Sequence, residues 1–312
     1  QPNHLLSKKI YNAYLPEKAK QEMEISKSDK LLIRLQDIAQ NKGFSPSSLT
    51  TYLRNPIDFY KKRVLGIGDL EDVEENVAVN TLGTIIHGAL EDLYEPVLGK
   101  FLSESDLLLM MKNYPEVLLK RFKDEYKDGE ISRGKNLIAF EVAKRNILNF
   151  LDLELKAVKA GDAIKVLHLE HNLSVEIVSA LLPYPVKISG NVDRIELRNG
   201  KYRIIDYKTG KVEAGDVKIT KWEDLLSIKK DKVIQLLCYA LMFKNTFTIA
   251  DFELEVGIIS FKNLKAGFMP FVDNSTKESV ISDSVLANFE TEIIALIHEI
   301  LDAEHTFVTK NT

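Results

Sequence analysis

GNVDRIELRNGKYRIIDYKTG, residues 190–210, splits into two strand-like runs around Asn199-Gly200. A two-residue hairpin turn of type I′ needs positive φ at both central positions, which Asn and Gly tolerate best. With those residues as the turn, Arg198 faces Lys201, Leu197 faces Tyr202, Glu196 faces Arg203, Ile195 faces Ile204 and Asp193 faces Asp206. Side chains alternate along a strand, so Ile195, Leu197, Tyr202 and Ile204 share a face with Asp193, Asp206 and Lys208, while Glu196 can pair with Arg203 on the other. An apolar face therefore runs into two carboxylates and an amine. Directly opposed Cβ atoms lie about 4.5–5.5 Å apart, where like charges destabilise a sheet. A shared proton, the Lys208 ammonium or a divalent cation taking one oxygen from each acid would relieve that repulsion. Hard oxygen ligands favour Mg2+ or Mn2+. The alternative is a hairpin end whose acids simply face water.

Outward from the hairpin, the texture changes from helical to strand-like. Residues 1–43 are lysine-rich and mostly helical in pattern, and Ser45-Pro46 supplies a helix start before Leu49, Tyr52 and Leu53. From 68 to 76 the acidic GDLEDVEEN reads as an exposed loop. Leu82, Ile85, Ile86, Ala89, Leu90 and Leu93 then recur at helical spacing, and amphipathic segments follow at roughly 104–127 and 136–159. Strands come next: AIKVLHLEHNLSVEIV, the hairpin, FELEVGIISFK and a further candidate at GFMPFV, with helices around 231–244 and near 283–303. Strands set among helices, with an antiparallel hairpin at their centre, predict one α/β domain with a mixed sheet flanked by helices.

The composition fits a globular chain: 312 residues, 45% hydrophobic and 28% charged. No run of about 18 apolar residues is present, nor a signal-peptide pattern at QPNHLLSKKI, so neither a membrane span nor secretion is expected, and the cytoplasm is the default. The single cysteine, Cys238, lies in the apolar VIQLLCYALMF, which excludes a disulfide or a cysteine-held cluster within this chain. A net charge of −4 argues against wholesale wrapping of nucleic acid, and the runs KKR at 61–63 and KKDK at 229–232 are local phosphate contacts or plain solvated faces. The start at Gln and the end at FVTKNT suggest a segment of something longer.

Other polar residues sit on elements that look buried. His87 and Glu91 are four residues apart on one helical face beside the apolar stripe, with Gly83 and Gly88 leaving room for another backbone. A hydrogen-bonded structural histidine is the competing reading. Gln235 and Tyr239 likewise fall one turn apart in KVIQLLCYALMF, suited to each other or to a substrate. Glu170 lies between Leu169 and His171 in a strand, where a solvent-facing position is the alternative.

His87 in GTIIHGALE, Gly190-x-x-Asp193-Arg194, Asp206-Tyr207-Lys208-Thr209-Gly210 and Gln235-x-x-x-Tyr239, in that order, resemble the RecB-type branch of the PD-(D/E)XK nuclease superfamily. SPSSLTTYLRNPIDFY at 45–60 is similar to the opening of nuclease domains in AddB-like helicase-nuclease subunits. The resemblance implies a restriction-endonuclease-like core at about 164–265, a helical insert at about 100–160, and a nuclease domain over 45–312 that follows an extension or linker over 1–44. It implies that Asp193 and Asp206 hold Mg2+ or Mn2+ with His87 and the Tyr207 carbonyl, and that Lys208 stands at the scissile phosphate. Gln235, Tyr239 and Arg194 would contact DNA or position the site, with Glu91 and Glu170 as further candidates. Several relatives hold an iron–sulfur cluster through a cysteine before the proline of Asn55-Pro56; Asn55 fills that place, so no cluster is expected.

The expected activity is a metal-dependent deoxyribonuclease, an exonuclease serving recombinational DNA repair beside a helicase subunit or domain. The rival is a DNA-binding module that keeps the fold without the chemistry, but opposed carboxylates that repel phosphate do not serve such a module. Lys208-Thr209-Gly210 and Ser227-x-x-Lys230 occur in the wrong order for a penicillin-binding enzyme. His298-Glu299 lacks the second histidine one turn on that a zinc-protease helix needs.

Overall fold

The computed structural model describes residues 23–67, 79–126, 133–247 and 253–310. Strand β1 (Glu24–Ile25) leads into helices α1 (Asp29–Asp37), α2 (Pro46–Arg54) and α3 (Pro56–Phe59). Three longer helices follow, α4 (Val79–Tyr94), α5 (Glu104–Tyr126) and α6 (Gly134–Lys159). The strands β2 (Ile164–Ile177), β3 (Val186–Arg198), β4 (Lys201–Lys208) and β5 (Lys218–Ile219) come next, then α7 (Asp231–Thr246). Strands β6 (Leu254–Ser260), β7 (Phe268–Pro270) and β8 (Val272–Asp273), helix α8 (Asp283–Leu301) and β9 (Phe307–Val308) complete the described chain.

Five strands form the central sheet in the order β2-β3-β4-β6-β7. All neighbours are antiparallel except β4 and β6, whose parallel pairing requires a crossover, supplied by α7. The β3–β4 ladder runs from Arg198↔Lys201 to Arg194↔Ile205, with Asn199 at φ 52° and Gly200 at φ 86°, so the predicted turn and register hold. One apolar core joins α7, α8 and α2 to Ile195, Ile204, Val256 and Ile258. The other joins α4, α5 and α6 to Ile205, Tyr207 and Ile259. Adjacent Ile204 and Ile205 thus serve opposite layers, as strand alternation requires, and β6 is buried along its whole length because both layers cover it. Gly257 admits its neighbour closely: a Cβ there would lie 2.4 Å from the Met269 carbonyl oxygen.

Local signals account for the element starts. Ser45 caps α2 by accepting the Ser48 N–H at 3.1 Å, and Pro46 opens the helix, where no N–H is needed. Asn55 ends that helix and caps the next, its Oδ1 accepting the Ile57 N–H at 3.1 Å.

Three expectations are refined or corrected. Residues 23–42 are not helix alone: Glu24–Ile25 pairs with Phe307–Val308, a contact between sequence-distant ends that no local pattern announces. GFMPFV holds two strands, one on the central sheet and one paired with Lys218–Ile219. Arg203, in register with Glu196, gives its Nε–H to Glu255 of β6 at 2.8 Å instead. The helix expected within residues 1–22 and the acidic loop lie outside the described residues. No described helix is long and apolar enough to cross a membrane.

Candidate active site

Beyond Arg194↔Ile205 the hairpin stops pairing backbone with backbone. The Tyr207 N–H instead donates to Asp193 Oδ2 at 2.6 Å, so a carboxylate takes the place of a main-chain acceptor. His87 reaches the same spot from α4: its Nε2 lies 3.2 Å from the Tyr207 carbonyl oxygen, and its Nδ1 lies 3.6 Å from Asp193 Oδ1 and 3.7 Å from Glu170 Oε1. His87, Glu170 and Asp193 each offer a ligand atom within 4.8 Å of the others.

Glu170 arrives by an irregular route. The β2–β3 register shifts between Val166 and His168, and Glu170 itself sits at φ 42°, a left-handed conformation that costs a non-glycine residue about 1–2 kcal/mol. Strain of this kind persists where surrounding contacts hold it. One such contact is the Asn191 side-chain amide, which donates to Glu170 Oε2.

On the α7 side, Lys208 Nζ lies 2.7 Å from Asp206 Oδ2 and donates to Gln235 Oε1 at 3.0 Å. Gln235 Nε2 donates to Asp206 Oδ1 and to the Tyr239 hydroxyl, both at 2.8 Å. The carboxamide is therefore fixed with its oxygen toward the lysine.

Electrostatics follow from this crowding. Burial, then the Asp206 charge, push the Asp193 carboxyl up to about 7. Burial works against a charge on His87, but Glu170, Asp193 and Asp206 outweigh it and raise its pKa above 6.5. Burial likewise opposes the Lys208 ammonium, and Asp206 and Asp193 more than restore it. Asp206 Oδ2 is buried against the ammonium, and a carboxylate oxygen that accepts one N–H keeps a second lone pair. A carboxyl held near neutrality, a buried carboxylate oxygen with a spare lone pair and two further ligands within reach are what a hard divalent cation would satisfy.

Of the expected site residues, the structure gathers His87, Asp193, Asp206, Lys208, Gln235, Tyr239 and the Tyr207 carbonyl, and draws Glu170 in with them. Asp206 stands beside the metal-suited trio, tied to Lys208 and Gln235. Glu91, one turn past His87, turns to Arg121 of α5 at 3.4 Å. Arg194 is corrected outright as a DNA contact: it is 0% exposed, bound to Glu154 at 3.2 Å and to Glu196, and stacked 4.8 Å from the Tyr94 ring centre. Alternation explains this, since a residue next to Asp193 points into the layer beneath. Sequence reasoning missed Asn191 and Glu154. Glu154 had a signal, an acid on the helical stripe of Ile147, Phe150, Leu151 and Leu155.

The model of the PD-(D/E)XK nuclease superfamily matches residues 43–310. Uncharacterised proteins of Rickettsia felis and Rickettsia typhi are each 24% identical, over 241 and 260 residues. The matches cover 74% and 80% of this chain but 25% and 26% of those proteins, so the chain spans about a quarter of the length of the curated relatives it matches. The crystal structure of SSO0001 aligns with 70% of this chain and 84% of its own at 16% identity and a TM-score of 0.22. The family match takes in the central sheet, both helical layers and all the clustered side chains, and on that ground the chain belongs to the PD-(D/E)XK nuclease superfamily.

Proposed function

We propose that this chain is a divalent-metal-dependent deoxyribonuclease that hydrolyses phosphodiester bonds from DNA ends, as the nuclease part of a larger RecB- or AddB-like helicase-nuclease in cytoplasmic DNA repair. The observation that carries the reading is the meeting of two clusters at Tyr207: His87, Glu170 and Asp193 on one side, Asp206, Lys208 and Gln235 on the other. The length of the relatives supports a larger assembly.

Mg2+ or Mn2+, when bound, polarises a phosphate oxygen and makes its water a better nucleophile. His87, Glu170 and Asp193 would hold it, with Asp206 and the Tyr207 carbonyl as further donors. Lys208 keeps its proton because acids surround it, and its ammonium would stabilise the negative charge that builds on the reacting phosphate. Gln235 holds that ammonium in one direction, and Tyr239 holds Gln235. Preorientation of this kind costs no reorganisation at the moment of reaction.

The test compares the chain with Asp206→Ala on linear single- and double-stranded DNA in Mg2+, Mn2+ or EDTA. The parent is expected to consume substrate only with metal, and the variant about 10²–10³-fold more slowly. Equal rates in both proteins, or cleavage that persists in EDTA, would overturn the proposal; tight DNA binding without cleavage in either would support the binding module instead.

A further inference from the structure

We propose that Arg194 is a positioning residue for the metal-suited cluster, acting through the Tyr207 phenol on the two backbone groups that hold Asp193 and His87; this rests on the nuclease reading above. The Tyr207 N–H donates to Asp193 and its carbonyl oxygen meets His87 Nε2, so the placement of this one residue sets the spacing of two candidate ligands. Its side chain points the other way, into the α4–α5–α6 layer, and there Arg194 Nη1 donates to the phenol oxygen at 3.3 Å.

The guanidinium is itself held by three groups besides the phenol, one of them braced in turn. Glu154 of α6 accepts from Nη1 and Nη2, Glu196 pairs with Nη2, the Tyr94 ring lies beneath it, and the Tyr94 hydroxyl donates to Glu154 at 2.6 Å. Tyr94 lies two turns along α4 from His87, so α4 is tied to β4 through the Tyr207 carbonyl and to β3 through the ring beneath Arg194. One buried cation thus connects α4, α6, β3 and β4, and three of these elements carry a site group: His87, Asp193, and the Asp206–Lys208 pair. The forked contact of Arg194 with Glu154 and its bond to the phenol restrict where the Tyr207 side chain can sit, and that restriction is passed to the Tyr207 backbone. Partners of this kind behind metal ligands commonly govern affinity by about 10–100-fold.

Tyr207→Phe isolates the link. It removes only the hydroxyl and keeps the ring packed against Phe150 and Phe261, whose centroids lie 5.5 and 5.8 Å away. Tyr52→Phe serves as the control, since it deletes a tyrosine hydrogen bond, 2.8 Å to Glu299, in the other apolar core from Tyr207. The probe is Mn2+ alone, titrated into the full chain by calorimetry and followed by its electron paramagnetic resonance spectrum. Tyr207→Phe is expected to weaken Mn2+ binding about tenfold and to broaden the bound-ion spectrum, while Tyr52→Phe leaves both as in the parent. Mn2+ affinity of Tyr207→Phe within about twofold of the parent would overturn the inference and leave the nuclease reading standing. An equal loss in Tyr52→Phe would also overturn it, by tracing the effect to general stability. A parent chain that binds no Mn2+ would sink the nuclease reading itself, and this inference with it.

Discussion

Asp193→Asn is expected to stabilise the metal-free chain above neutral pH. Burial, and next the Asp206 charge, lift the Asp193 carboxyl from 3.8 to about 7. Between those values the unfolded chain binds fewer protons than the folded one, so stability falls as pH rises through that window. At 1.36 kcal/mol for each tenfold change in proton affinity, the full displacement corresponds to about 4 kcal/mol. His87 and Lys208 respond to the same charge and offset part of it, so about 2 kcal/mol is expected at pH 8. Asn keeps the shape and the oxygen that accepts the Tyr207 N–H, and carries no charge. His87 tilts the parent the same way: its raised pKa contributes stability present below 6.5 and lost as pH rises through the folded value. Urea unfolding in EDTA at about pH 5 and about pH 8 measures the difference. The variant should lead modestly at the lower pH, where the unfolded carboxyl is already ionised and the folded one is not, and by more at the higher, where the whole window has been crossed. Mg2+ should then stabilise the parent alone, by about 2.7 kcal/mol at a hundred times its dissociation constant. A variant less stable than the parent at the higher pH, or a gap equal at both, would refute the account of Asp193 as an ionised acid held out of water for a cation.

Arg194→Ala leaves Glu154 and Glu196 buried without their main partner, a loss of about 3–5 kcal/mol. With an unfolding entropy of about 2.1 cal/mol/K per residue over 312 residues, the melting temperature should fall about 5–8 °C in calorimetry. DNA affinity measured in EDTA, well below that transition, should be unchanged, and a variant that melts like the parent but loses DNA there would place the guanidinium at the surface. Gly257→Ala drives a Cβ into the Met269 carbonyl at 2.4 Å and the Phe268 ring at 2.6 Å, so the β6–β7 pair must open. A cost of about 2–4 kcal/mol in urea unfolding is expected, and a change under about 0.5 kcal/mol would contradict the close approach.

Much of the fold was legible because its signals are local. Asn199-Gly200 determined a turn, the turn determined register, and register placed Asp193 and Asp206 at the same end of two strands. The helical spacing of apolar residues located α5, α6, α7 and α8 to within a few residues. The candidate site was legible too, as an order of motifs. What failed had a common cause. The Glu196–Arg203 pair was inferred from one hairpin, but Arg203 also neighbours β6, and the carboxylate that competes for it, Glu255, is 52 residues away in sequence.

The sequence by itself therefore determined most of the strands and helices, where the hairpin turns, and that Asp193, Asp206 and Lys208 share a face, because turn geometry, alternation and helical periodicity act over a few residues; the histidine joined them through the resemblance in motif order. Only the tertiary structure decided what each charge does. Arg194 could stand in solvent or at the centre of a buried network, and the answer depends on Glu154 arriving from α6 and Tyr94 from α4. Glu170 could face water or the metal-suited cluster, and its left-handed backbone and the Asn191 amide turn it inward. Electrostatic energies are set by distance and burial, and neither exists until distant segments have packed together.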